Sequence, residues 1–158
     1  MRPSTSRASV QTVSAAATAG LTGMGRRLVV AVTALSVAHH LDHLARQVTG
    51  WPLTGGLNAF SISLLVYPVV VAGLVLSARR RVGARFWAVL AGGGALFVAA
   101  VHVGPAAGDA VSTIPDQHLS PASAVLALGV LAAFFAALVA HCVYETRLLI
   151  RARAGRRA

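Results

Sequence analysis

Four runs of about twenty mainly apolar residues, separated by short polar or Pro/Gly-rich links, leave this chain one environment to fold in. Hydrocarbon offers the backbone no hydrogen bonds, so each run must satisfy its own amide groups, and a helix does so within one segment. A helix rises ~1.5 Å per residue and the hydrocarbon core is ~30 Å thick, so ~20 residues span it. The runs fall at about 28–48, 57–78, 86–106 and 121–143. They are rich in Ala, Leu, Val and Gly, and none shows the alternating ~10-residue strands of a membrane barrel. The expected architecture is an all-α membrane protein. A four-helix transmembrane bundle occupies 26–150, after a disordered basic tail at 1–25 and before a basic tail at 151–158.

Composition agrees. Of 158 residues, 56% are hydrophobic and 11% charged, against about 25% charged in a soluble domain. A net charge of +10 would suggest nucleic acid if the protein were soluble. Here the arginines flank apolar runs, as the positive-inside rule produces, which argues for a lipid bilayer and no nucleic acid as partner. Every basic residue besides histidine is arginine, which reads as GC-rich coding and a bacterial source. Cys142 is the lone cysteine, so no disulfide within the chain and no cysteine-built zinc site is available.

The links assign the sides. Arg2, Arg7, Arg26 and Arg27 precede the first run, Arg79, Arg80, Arg81 and Arg85 fill the second link, and Arg147, Arg151, Arg153, Arg156 and Arg157 follow the last run. These regions should be cytoplasmic, with both termini inside a bacterial inner (plasma) membrane. The first link (Trp51, Pro52, Gly55, Gly56) and the third (Asp109, Asp116, His118) should face outward. Residues 1–25, rich in Ser, Thr and Ala, also fit a transit peptide, but a disordered tail explains them as well. They are not a cleaved secretory signal, because the first apolar run is too long and comes too late. Ser120 and Pro121 read as N-cap and first turn of the fourth helix, and Tyr67-Pro68 as a mid-span kink. Trp51 and Trp87 read as interfacial anchors, one on each side, and His141 as an interfacial residue beside Cys142 and Glu145.

This topology places five of the six histidines and three of the four acidic residues on one side. The centre is the string His39-His40-Leu41-Asp42-His43. Counting helical rise from Leu28, His39 and His40 lie ~17–18 Å from the inner side and Asp42 and His43 ~21–23 Å. Counting from Phe86, His102 lies at ~24 Å, level with His43 on a parallel helix. At ~100° per residue, His39 and His43 are ~40° apart and share a face, and Asp42 and Arg46 can pair at its flank. Ala91, Ala95 and Ala99 form a small-residue stripe that His102 continues, which argues that His102 points into the bundle.

Ionisable residues inside a membrane are costly and mark functional sites by default, and imidazole is the commonest metal ligand and a haem axial ligand. The leading expectation is a metal ion (copper, zinc or iron) held among His39, His40, Asp42, His43, His102, Asp116 and His118, with Asp109 as a further candidate. The other form is a b-type haem between His102 and His39 or His43, with an electron-transfer role. Two alternatives stay open. The histidines can be structural, hydrogen-bonded to neighbouring backbone, in a transporter subunit, proton-linked sensor or assembly partner, with a homo-oligomer possible. Or the metal can serve an enzyme acting on a lipid, although no nucleophile motif is visible and Ser112 and Thr113 are weak candidates. Asn58, Ser61 and Ser63 can line the same cavity or cap a helix.

Overall fold

The computed structural model describes residues 20–46, 56–104 and 107–157. Along it run α1 (Gly23–Arg46), α2 (Ala59–Ser63), α3 (Val66–Ala78), α4 (Ala84–His102), a 3₁₀ turn at Pro115–Gln117 and α5 (Pro121–Ala154). No strand occurs among the described residues. Four stretches are long and apolar enough to cross a membrane, Ala59–Ala78 counting as one. These four stretches fall where the apolar runs lie, with shifted ends. Most of the expected N-terminal tail, Trp51 and Pro105 lie outside the described residues.

Local chemistry sets the boundaries. The Ser120 hydroxyl accepts from Ser123 N at 3.2 Å and Pro121 opens α5, as expected from the sequence. Asn58 and Ser61 form a reciprocal capping box at the head of α2. Pro68 has no N–H to give the Leu64 carbonyl, and the helix breaks at Leu64–Leu65, where Tyr67 N takes that carbonyl at 3.2 Å instead. α5 continues to Ala154, with Ala152 buried, so the last arginines begin on helix rather than in a free tail.

α4 and α5 form the tightest pair. Ala84, Ala88, Ala91 and Ala95 are buried, and small residues let helices approach closely in lipid. Gly92 and Gly94 add to this contact: a Cβ there would stand 3.2 Å from Cys142 Sγ and from Leu138 Cδ2 respectively. α1 also packs on α5, joining a core of Ala95, Val98, Ala127, Leu131, Phe134 and Leu138 through Val32 and Leu35. Outside, Val30, Val71, Val89, Leu96, Val125 and Leu126 are exposed, a surface suited to hydrocarbon and not to water.

The helix α2–α3 is held at its two ends. At one end Phe60 and Tyr67 meet His40. At the other, Gly73 lies against Phe86 and Trp87, and Ser77 Oγ accepts the Trp87 indole N–H at 2.9 Å. Trp87 is thus no interfacial anchor: it is 1% exposed and stacks on His141. His141 is likewise buried, 3.5 Å from Glu145, and not interfacial. The link after α4 folds back over the bundle. Asp109 N bonds Val101 O and Val111 N bonds His102 O, while Ile114, 1% exposed, plugs into the core.

Candidate metal centre

The cluster is built from the last turns of α1 and α4, which end level with each other beneath that folded link. The i,i+4 spacing stacks His39 and His43 on one face of α1. The small-residue stripe seats α4 on α5, and from there the His102 ring reaches His39 and His43 of α1. His39 Nε2 lies 3.0 Å from His43 Nε2 and 3.2 Å from His102 Nε2. All three rings are buried, and their ligand atoms lie within 4.8 Å of one another. Three nitrogens at ~2.0–2.1 Å from a tetrahedral ion would stand ~3.3 Å apart. Two of the three separations are already close to that value.

The far edges of two of the rings have partners. His102 Nδ1 donates to the Asp109 backbone carbonyl at 2.7 Å, which leaves Nε2 as the lone-pair nitrogen, the tautomer a metal needs. His43 Nδ1 and His102 Nδ1 each lie 3.5 Å from Asp109 Oδ2. A carboxylate behind two ligand imidazoles is the arrangement that orients metal-binding histidines and raises their basicity. Asp109 is itself 1% exposed and is held by Arg46, whose two terminal nitrogens reach its two oxygens at 3.1 and 3.0 Å. This fork-to-fork geometry is the strongest pairing open to a carboxylate. Arg46 Nη2 also stands 3.2 Å from His43 Nδ1, Nε donates to Asp42 Oδ2 at 2.7 Å, and Nη1 donates to Gln117 Oε1.

The other expected residues divide around this centre. His40 faces away from the triad: Nδ1 lies 2.8 Å from Ser36 O and from the Tyr67 hydroxyl, and Nε2 lies 2.7 Å from Ser63 Oγ. With both ring nitrogens engaged, it fastens α2–α3 to α1. Asp42 pairs with Arg46 and, at 3.0 Å, with His118 Nε2, while His118 Nδ1 donates to Ile114 O at 2.8 Å. These two residues clasp the folded link to α1 one layer outside the triad. Asp116 is exposed on the 3₁₀ turn. Asn58 and Ser61 serve the helix cap, whereas Ser63 and Tyr67 reach the cluster.

Two roles were not readable in advance. Arg46 was paired with Asp42 by spacing, but its link to Asp109 depends on how the third link folds. Tyr67 reads in the sequence as part of a kink, and a tyrosine one residue before a proline carries no signal for a hydrogen bond to histidine. No protein-family model, curated protein or solved structure matches the chain.

Proposed function

We propose that this chain is an integral membrane metalloprotein of a bacterial inner membrane, holding one copper, zinc or iron ion on His39, His43 and His102. The arginine-rich end is cytoplasmic and the metal end faces outward. The observation that carries the reading is the convergence of three Nε2 atoms at near-coordination spacing. The far edges of two of them, His43 and His102, are turned to Asp109, so the residues present suit the ion. Imidazole donors suit zinc, copper and iron. Three protein ligands leave a fourth position open, the pattern of metal sites that act on a bound molecule rather than only brace a fold.

A b-type haem is the weaker fit. It takes two imidazoles from opposite faces of a flat macrocycle, whereas these three nitrogens point at one spot.

Elemental analysis of detergent-purified protein, reloaded with Zn²⁺ or Co²⁺ after chelation, tests the reading. One ion per chain is expected for the wild type and for His118→Ala, and none for His39→Ala or His102→Ala. Co²⁺ should give the visible bands of a four-coordinate site. A wild-type protein that takes up no ion, or histidine variants that bind as well as it does, would overturn the assignment.

A further inference from the structure

Between α1, α3, α4 and α5 lies a cavity of about 380 Å³, within the range of small-molecule sites. Along α1 its wall runs from Val29 to His43, a span of ~21 Å at helical rise. That leaves a mean cross-section of about 20 Å², the width of one unbranched hydrocarbon chain. The wall is mainly aliphatic, with Val32, Val66, Val70, Leu90 and Val98 among its residues. Most of the polar groups gather at one end, where His39 and His43 stand with Ser36, His40, Ser63 and Tyr67; Thr33 lies part-way along α1, and His141 beside Trp87 marks the other end.

Two of the triad's three residues, His39 and His43, line this space. The Nδ1 edges of His43 and His102 are turned to Asp109 and the folded link, so their Nε2 edges point the opposite way, towards His39, which belongs to the cavity wall. α2–α3 closes the side of the cavity through Ile62, Val66, Val69 and Val70, between the contacts at Tyr67 and at Gly73.

We infer that the cavity seats a single-chain amphiphile of the fatty-acid type, its carboxylate at the triad and its chain running down to Trp87 and His141. A sixteen-carbon chain matches the length. The place of the head rests on the metal reading above; the seat for the chain does not. A carboxylate oxygen would fill the open position on the ion.

Trp87 reports on the chain directly, because bromine quenches tryptophan fluorescence only near contact. The chain's other tryptophan, Trp51, is removed by Trp51→Phe in the full-length protein, reloaded with Zn²⁺ in phosphatidylcholine nanodiscs. The probes are 16-bromohexadecanoic acid and 2-bromohexadecanoic acid. Saturable quenching, several-fold stronger for the 16-bromo acid, is expected. Gly93→Phe should abolish it with zinc content unchanged, since Gly93 lines the cavity and a Cβ there meets nothing within 4 Å. Equal quenching by the two acids, or stronger quenching by the 2-bromo acid, overturns the inference, as does quenching that survives Gly93→Phe. The two-acid comparison needs no cavity variant, so a misfolded Gly93→Phe would not spare the proposal. Stoichiometric zinc without the quenching pattern defeats this inference alone. The pattern without zinc defeats the metal reading and leaves the chain seat standing.

Discussion

Replacing Asp109 by asparagine tests whether the second layer of the centre serves the metal or only the fold. The substitution keeps side-chain volume and removes the charge. The Asp109 backbone carbonyl, 2.7 Å from His102 Nδ1, is untouched by any side-chain change, so the tautomer of His102 survives. His43 loses the carboxylate oxygen 3.5 Å from its Nδ1, while the Arg46 guanidinium still stands 3.2 Å from that nitrogen. A cation beside Nδ1 favours the tautomer with the proton on Nε2, the wrong one for an ion. Loss of such a second-layer partner typically weakens metal binding about 10- to 100-fold, or ~1.4–2.7 kcal/mol. Stability should fall as well, because Arg46 is left with a buried charge balanced by Asp42 alone; removing one partner of a buried pair costs ~3–5 kcal/mol, and the surviving Asp42 contact places this case at or below the low end. Competition with a chromophoric chelator at fixed pH measures the first effect and thermal unfolding of the zinc-free protein the second. An Asp109→Asn protein that folds and binds zinc as tightly as the wild type would refute the argument that Asp109 orients the ligands.

Three other outcomes follow from packing and charge. Gly73→Ala should lower thermal stability by ~1–3 kcal/mol of overpacking, read as a melting shift against a near-neutral Gly93→Ala control. The new Cβ would stand 2.5 Å from Phe86 Cε1 and 3.0 Å from Trp87 Cη2, and Trp87 is held by Ser77 and His141. His141→Leu and Glu145→Leu should each be strongly destabilising because each strands a buried partner, while the double variant recovers most of the loss with metal content unchanged; additive losses would show that the two do not act as a pair. In a Cys142→Ala background, Ser112→Cys should react with an impermeant thiol reagent on intact cells and Arg153→Cys should not, and the reverse pattern would invert the proposed topology.

The fold was legible in the sequence because hydrocarbon permits so few solutions. Four apolar runs must be helices, and Ser120, Pro121 and Pro68 mark a start and a break through chemistry confined to a few neighbouring residues. Trp87 and His141 show where that reasoning failed. An aromatic and a histidine near helix ends suit the interface on average. Here Gly73 removes the side chain that would hold α3 away from Phe86 and Trp87, and the indole N–H finds Ser77 across the gap, so both rings sink into the bundle. Nothing local to Trp87 announces a glycine fourteen residues upstream on another helix.

The site divides along the same line. His39 and His43 follow from helical spacing, and His102 from its depth and its small-residue face, so spacing and rise alone bring the three rings together. Spacing could not separate His40 from them, since it shares their segment and their residue type. What separates it is Ser63 and Tyr67, carried in by a helix whose approach is set by side chains far from the motif. In the third link, the sequence reading favours Asp116 and leaves Asp109 as a further candidate, whereas the structure reverses the two. Ile114, buried between them in sequence, fixes the loop's fold, and the backbone bonds at Val101 and His102 then put Asp109 over the histidines and leave Asp116 in the open. A buried carboxylate there would be prohibitive without a counter-charge. Arg46 supplies it, from the one arginine on the acidic side of the chain, and the same guanidinium holds Asp42, which holds His118. The outlying arginine is therefore the residue that lets a negatively charged second layer exist at the mouth of an apolar bundle.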